Sequence, residues 1–531
     1  MELPITLLTW GAAVLPIVVL LALLVRWQWG VAEAAPIGLA TALVTAFVVF
    51  KGPLPLIAGE LAKGIWGGLA VMAVVVPAIL IFEVTDEARA FDAFRQGMQK
   101  FSPNELLQVL TIGWVFASFL QGVTGFGVPV AIVAPLLVGM GVRPFWAVGI
   151  PLIGHAWATT FGTLAVAWEA LVLQTTLAGE LLYTTAIWAG LFTWAMDLTA
   201  GLAVCWFYAG RDGLRKGLPA VLAISALHGG GQMILSQYNQ VLCNFLVSSA
   251  GLILAYVLGK TLYIKPYRQA DSILMDRSVT CEGDGGTPQP LTLHQAFLPY
   301  YTLTGITLFV LLIPQVKRAL SFLIVGLPFP ETVTGYGFVN PSVSLYAPIN
   351  VFTHAGVFLT VASVIGYYFF KSKNVMRPDS ARQILLRTLD KAAPATIAVI
   401  LLIAMSKVMG GTGQVLVLAQ GTAAVTGKYY AIFSPFIGVL GAFMTSSCMA
   451  SNILFGSFQQ TMAELLHLNE AVILGAQTGG GSIGNVLCPG NVLLGTTTAG
   501  ILGQEGALLK KLIPLGCAVA LICGIVTFLF S

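Results

Sequence analysis

Apolar runs of about twenty residues recur along this chain from Leu3 to Phe530, separated by short polar stretches. Coiled as a helix, a run of that length matches the roughly 30 Å hydrocarbon core of a bilayer. So many such runs cannot share one water-soluble core. Composition agrees: 57% of residues are hydrophobic, 9% are charged and mean hydropathy is +0.88, against about 25% charged in soluble domains. The stretches 3–25, 31–50, 64–82, 105–121, 144–168, 181–208, 240–260, 294–313, 346–370, 391–409 and 507–530 are long enough to span. Segments 128–141, 219–235, 413–426, 429–443, 453–466 and 470–499 are short, long or interrupted by Gly and Pro. The reading is an all-α polytopic membrane protein with roughly 12–14 transmembrane helices in one domain over 1–531. Residues 1–260 make a first half, 261–293 a cytoplasmic loop and 294–531 a second half.

Charge supports a multi-pass protein of the cell membrane. The net charge of +4 is small for 531 residues, and the bases fall in short clusters between apolar runs, which argues against nucleic-acid binding. Arg211, Arg215 and Lys216, then Lys265, Arg268 and Arg277, then Lys371, Lys373, Arg377, Arg382, Arg387 and Lys391 face the cytoplasm by the positive-inside rule, and Arg26 after the first span with Lys510 and Lys511 before the last put both termini outside by the same rule. The opening Met1-Glu2-Leu3-Pro4 lacks a basic region, so the first run reads as a span and not as a cleaved leader. The segment 86–100 is polar with apolar residues at helical spacing and reads as an interfacial or solvated helix. Seven cysteines without a C-x-x-C pair indicate neither a disulfide framework nor a zinc site. Cys205, Cys517 and Cys523 read as small apolar packers, and no cofactor is expected.

Two regions interrupt this pattern. Gln121-Gly122-Val123-Thr124-Gly125-Phe126-Gly127-Val128-Pro129 sets three glycines and a proline inside hydrophobic sequence, and Gly154 to Gly162 forms a second polar break. The second half offers Thr445 to Asn452, an apolar stretch of about 14 residues too short to span, and then Gln477-Thr478-Gly479-Gly480-Gly481-Ser482-Ile483-Gly484-Asn485. Pro129 to Gly162 and Ser451 to Gly484 are both 33 positions apart, which suggests two repeats, each with broken or re-entrant helices. Backbone groups freed at such breaks must be satisfied by protein, water or substrate. Paired discontinuous helices place positive N-terminal ends near the midplane, where a carboxylate fits. The candidates for binding it are Gln121, Thr124, Gly125, Gly127, Ser446, Ser447, Asn452, Thr478, Ser482 and Asn485. His155 and Asp197 are ionisable groups within apolar spans and candidates for carrying a coupling proton. Glu169 sits at a helix end and Lys407 can snorkel, so both read first as structural. Gly480-x-Ser482-x-Gly484 matches a nucleophile elbow in form only, since it lacks the strand-turn-helix context. Nothing points to an enzyme.

With these regions in view, the chain resembles the L-lactate permease family. Residues 122–132 (GVTGFGVPVAI) and 134–141 (APLLVGMG) are similar to that family's Gly-Phe-Gly-x-Pro-Val-Ala-Ile signature, and 434–443 (SPFIGVLGAF), 450–456 (ASNILFG) and 501–506 (ILGQEG) to its C-terminal pattern. The resemblance implies secondary active uptake of lactate and related 2-hydroxy monocarboxylates such as glycolate, by proton symport, with a fold of the ion-transporter superfamily. The chain departs from the family at Gln121, where Glu is common, and at Cys448, where Asp or Asn is common. Alternatives are a carrier of another organic or inorganic anion, Na⁺-coupled or not, and an anion channel. A homodimer is compatible with this reading.

Overall fold

The computed structural model describes residues 5–27, 29–125, 127–277 and 291–531. Met1 to Pro4, Phe126 of the first break and 278–290 of the expected loop lie outside the described residues.

Ten helices among the described residues are long and apolar enough to cross a membrane, or up to twelve if two bent pairs each count as one span. Leu54–Glu87 and Ser380–Gly411, 34 and 32 residues long, lie against each other. Their pairing is antiparallel, since Gly64 sits beside Ala404, Gly68 beside Ile400, and Glu83 beside Arg387. Gly64 and Gly68 are one turn apart and allow this approach. A Cβ on Gly64 would stand 2.3 Å from the Ala404 Cα, the role small residues play in membrane helix pairs.

The three basic clusters gather at one end of the bundle. Arg387 donates to Glu83 and Glu87 at 2.8 and 2.7 Å, Lys260 Nζ reaches the Lys100 carbonyl at 3.1 Å, and the Tyr267 hydroxyl donates to Asp212 at 2.7 Å. Arg277 grips Glu105 with two bonds of 2.7 Å. The 86–100 segment forms a helix over Ala90–Gln99 at this end. Its Phe91, Phe94 and Met98 are buried, and the Phe94 ring packs tilted against Phe297 with centroids 4.3 Å apart.

The opposite end carries β structure that apolarity concealed. Ile324–Phe329 pairs antiparallel with Val343–Asn350, and Thr332–Val333 with Val339–Asn340. The span expected over 346–370 therefore starts later, at Ala355–Ser372. Apolar β-branched residues serve strand and helix alike, and here the backbone bonds go sideways. Gly335 N donates to the Lys51 carbonyl, Asn340 to the Gly411 carbonyl and Trp66 to the Tyr346 carbonyl, so this hairpin caps the end opposite the basic clusters.

Two local expectations need correction. The stretch 477–485 is not a break: Glu470–Leu487 is one continuous helix. Its glycines serve packing, because a Cβ on Gly480 would lie 2.0 Å from the Pro435 carbonyl oxygen and one on Gly484 2.5 Å from that of Val439. The stretch 453–466 is part of a full helix, Cys448–Leu466, which begins early because Ser447 caps it by accepting from Ala450 N. Cys205 and Cys523 are buried as expected, whereas Cys517 is exposed.

Candidate substrate site

Four helices begin around one small cavity. Val128–Val138 follows Gly125 and Gly127, whose φ values of +62° and +80° favour glycine. Cys448–Leu466 follows Ser446, itself at φ +55°. Pro489–Thr498 begins after Cys488, with proline at its first position, where no N–H is needed. Gly162–Gln174 becomes regular only after Thr163, Leu164 and Ala165, three successive residues with φ of 50°, 51° and 64°. For non-glycine residues that conformation costs roughly 1–2 kcal/mol each.

The cavity holds about 50 Å³, room for a few waters at roughly 10–15 Å³ each or for one small anion. Each break contributes to its wall: Gln121 and Gly127; Thr159, Gly162 and Thr163; Ser446, Ser447 and Cys448; Asn485 and Asn491. The first N–H groups of a helix lack intrahelical acceptors and carry the positive end of its dipole, so four such ends around one space favour a negative group. Among the described residues, no Lys, Arg, Asp or Glu lines it.

Among the residues singled out in the sequence, Gln121, Gly127, Ser446, Ser447 and Asn485 line the cavity. Gly125 lies behind the wall, where a Cβ would stand 2.1 Å from Thr163 Oγ1. Thr124 turns its hydroxyl to the Leu120 carbonyl at 2.8 Å. Asn452, Thr478 and Ser482 form a buried chain next to the cavity. Asn452 Nδ2 donates to the Ala167 carbonyl (2.8 Å) and to Thr478 Oγ1 (2.9 Å). Thr478 meets Thr160 at 3.1 Å, Thr160 meets Ser482 at 2.6 Å, and Thr159 donates to Ser482 at 2.8 Å. Of the proton candidates, His155 reaches the cavity wall through Asn485, whose Nδ2 lies 3.3 Å from His155 Nε2. Asp197 stands elsewhere. It accepts from Trp114 Nε1 at 2.8 Å and lies 3.2 Å from His228 Nδ1. Glu169 is exposed.

The sequence reading missed Thr163, Asn491 and His228. Asn491 could have been suspected from its place two residues after Pro489 in an apolar region, and His228 as a lone imidazole in an apolar run like that of Asp197. Nothing local marks Thr163.

The L-lactate permease family model matches residues 11–531. The chain belongs to the L-lactate permease family. Relatives within it include the L-lactate permease of Escherichia coli strain K12, 26% identical over 97% of this chain and 95% of its own length. That of Halalkalibacterium halodurans is 25% identical over 98% of this chain and 96% of its own. The glycolate permease GlcA of Escherichia coli strain K12 is 26% identical over 93% and 91%. Among solved structures, the Alcanivorax borkumensis YdaH transporter aligns over 88% of this chain with a TM-score of 0.46 and 14% identity. As a member of the L-lactate permease family with ten or more membrane-crossing helices, the chain is a multi-pass membrane permease and not an enzyme.

Proposed function

We propose that this protein carries lactate, or a related 2-hydroxy monocarboxylate such as glycolate, across the cell membrane in symport with a proton. The cavity lining carries the argument. Helix N-termini, Ser, Thr, Asn and Gln surround a space of small-anion size with no fixed cation, which suits one carboxylate and offers amide partners to a neighbouring hydroxyl. Of the expected binding residues, Gln121, Gly127, Ser446, Ser447 and Asn485 would touch substrate. Thr124, Gly125, Asn452, Thr478 and Ser482 would hold the wall in shape.

Gln121 and Cys448 bring no carboxylate to the cavity, so the proton must sit nearby. Asn485 Nδ2 is a donor, which makes His155 Nε2 the acceptor and leaves Nδ1–H to donate to the Pro151 carbonyl. A proton arriving at Nε2 turns it into a donor, and the Asn485 amide must then present its oxygen. That links protonation to a residue on the cavity wall. The Asp197–His228 pair is the second candidate.

The test is uptake of radiolabelled L-lactate into proteoliposomes with pH and Na⁺ gradients imposed separately. Accumulation driven by an inward proton gradient is expected. Accumulation with Na⁺ alone would transfer the coupling to Na⁺, and downhill flux under every gradient would make the protein an anion channel.

A further inference from the structure

Two ammonium groups and one carboxylate meet beneath the hairpin, at the far end of a helix that starts at the cavity, with Lys63 and Glu60 buried and Lys407 partly so. Lys63 Nζ donates to Glu60 Oε1 at 2.6 Å, with side chains only 11% and 5% exposed. Lys407 Nζ donates to the Leu173 carbonyl at 2.7 Å and lies 5.7 Å from the Tyr346 ring centroid. Lys63 lies 5.5 Å from the Phe329 centroid, and the Phe329 and Tyr346 rings meet edge-on at 5.6 Å. Trp66 Nε1 donates to the Tyr346 and Ala347 carbonyls and pins the strand over the cluster.

The charges do not balance. Glu60 is engaged by Lys63, and Lys407 bonds a carbonyl, so one positive charge stays uncompensated, a costly state within a membrane protein. Among the described residues, two more polar groups here lack partners: Gln174 Nε2, on a residue only 6% exposed, and the Tyr346 hydroxyl. Ser406, next to Lys407, holds Gln174 Oε1 at 3.1 Å, which leaves the amide nitrogen as the unspent end. Ammonium, amide N–H and phenol O–H are all donors, and an anion completes such a set.

We propose that Lys407, Lys63, Gln174 and Tyr346 form a second binding site for a small monocarboxylate, on the membrane face opposite the basic clusters. This rests on reading the protein as a carboxylate carrier and adds a docking station to it. Gly162–Gln174 joins the two places: Gly162, Thr163, Val166 and Ala167 line the cavity, and Leu173 and Gln174 belong to the cluster, with Leu173 roughly 9 Å on from Ala167 at 1.5 Å per residue. A fixed positive charge there concentrates anions ahead of the uncharged cavity.

Isothermal titration of the purified full-length protein with L-lactate tests this. Two equivalents are expected for the unmodified chain. One should be lost in Lys407→Gln and kept in Lys407→Arg, and the other lost when Ser447→Ala and Asn485→Ala are combined. A single equivalent in the unmodified chain, or two that survive Lys407→Gln, would overturn the second site. Loss with Lys407→Gln while the Ser447/Asn485 double variant still binds two would overturn the cavity and leave the second site standing. Where Lys407→Gln fails to give a monodisperse protein, Gln174→Leu keeps both lysines. A weakening of the second equivalent by about tenfold is then expected, the loss of one charge-assisted bond, and unchanged affinity overturns the site.

Discussion

Asn485 and His155, 330 positions apart in sequence, are joined by a buried 3.3 Å contact between Nδ2 and Nε2. Asn485 also accepts from Asn491 Nδ2 at 3.1 Å, so it ties the imidazole to the helix start at Pro489. Asn485→Ala should raise the lactate concentration for half-maximal uptake about tenfold, from a loss of about 1–2 kcal/mol of hydrogen bonding. The measurement is the concentration dependence of initial uptake at constant membrane abundance.

Ser447 and Asn452 are five residues apart, yet their replacement should have different consequences. Ser447 lines the cavity and caps its helix, so Ser447→Ala should weaken binding and cost about 1 kcal/mol of stability. Asn452 spends its amide on the Ala167 carbonyl and Thr478. Asn452→Ala should therefore lower the thermal midpoint, with about 1–3 kcal/mol lost to a bereft buried carbonyl. Affinity in the fraction that stays folded should change little, and a large affinity loss at full stability would place Asn452 in the binding wall.

Gly480→Ala should be poorly tolerated, because its methyl would meet the Pro435 carbonyl oxygen at 2.0 Å. Overpacking of this kind costs about 1–3 kcal/mol or more. Gly11→Ala, with nothing within 4 Å, is the control and should leave abundance in the membrane unchanged. Fluorescence-detected size exclusion compares the two.

The Asp197–His228 pair is fully buried, and Asp197 Oδ2 and His228 Nε2 have no partner among the described residues. His228 stacks on Trp157, centroids 4.7 Å apart, two residues from cavity-lining Thr159. If the pair carries the proton, Asp197→Asn should cut proton-driven accumulation at least about tenfold, as expected for an essential intramembrane acid, while lactate–lactate exchange continues. Equal losses of exchange and accumulation would assign the pair to structure alone.

Asp212, on the helical segment just past the kink at Ala209 and Gly210 at the basic end, accepts from Lys216 and Tyr267 at 2.8 and 2.7 Å, and these bonds hold its carboxyl below the ordinary 3.8. A folded value below the unfolded one adds stability that is present above the unfolded value and lost as pH falls through the folded value. Asp212→Asn should therefore be slightly less stable than the parent at neutral pH and converge with it well below 3.8. The difference stays small because the group is exposed to solvent.

The spanning architecture was legible because about twenty apolar residues in a row admit few other folds, and because the basic clusters do lie at one end. Parts of the site were legible for a related reason: glycine, serine and proline together in apolar sequence mark a helix that has to stop, as at Gly125–Gly127 and Ser446–Ser447. The same signal misled at 477–485, where glycines open a helix to its neighbour and the helix runs unbroken to Leu487. Composition does not distinguish a glycine that frees φ from one that admits a carbonyl. Thr163 and the hairpin strands were hidden because left-handed backbone at a threonine and sideways pairing of apolar β-branched residues are imposed by tertiary surroundings.

The uncharged lining of the cavity bears on the membrane potential. An anion crossing alone against 100 mV, negative inside, meets about 2.3 kcal/mol, roughly a 50-fold penalty on accumulation at 1.4 kcal/mol per decade. With no lysine or arginine in the wall among the described residues, the lining supplies no countercharge to travel with the substrate. In the proposed symport, carboxylate and proton bound together would be neutral, and that complex would reorient without feeling the field.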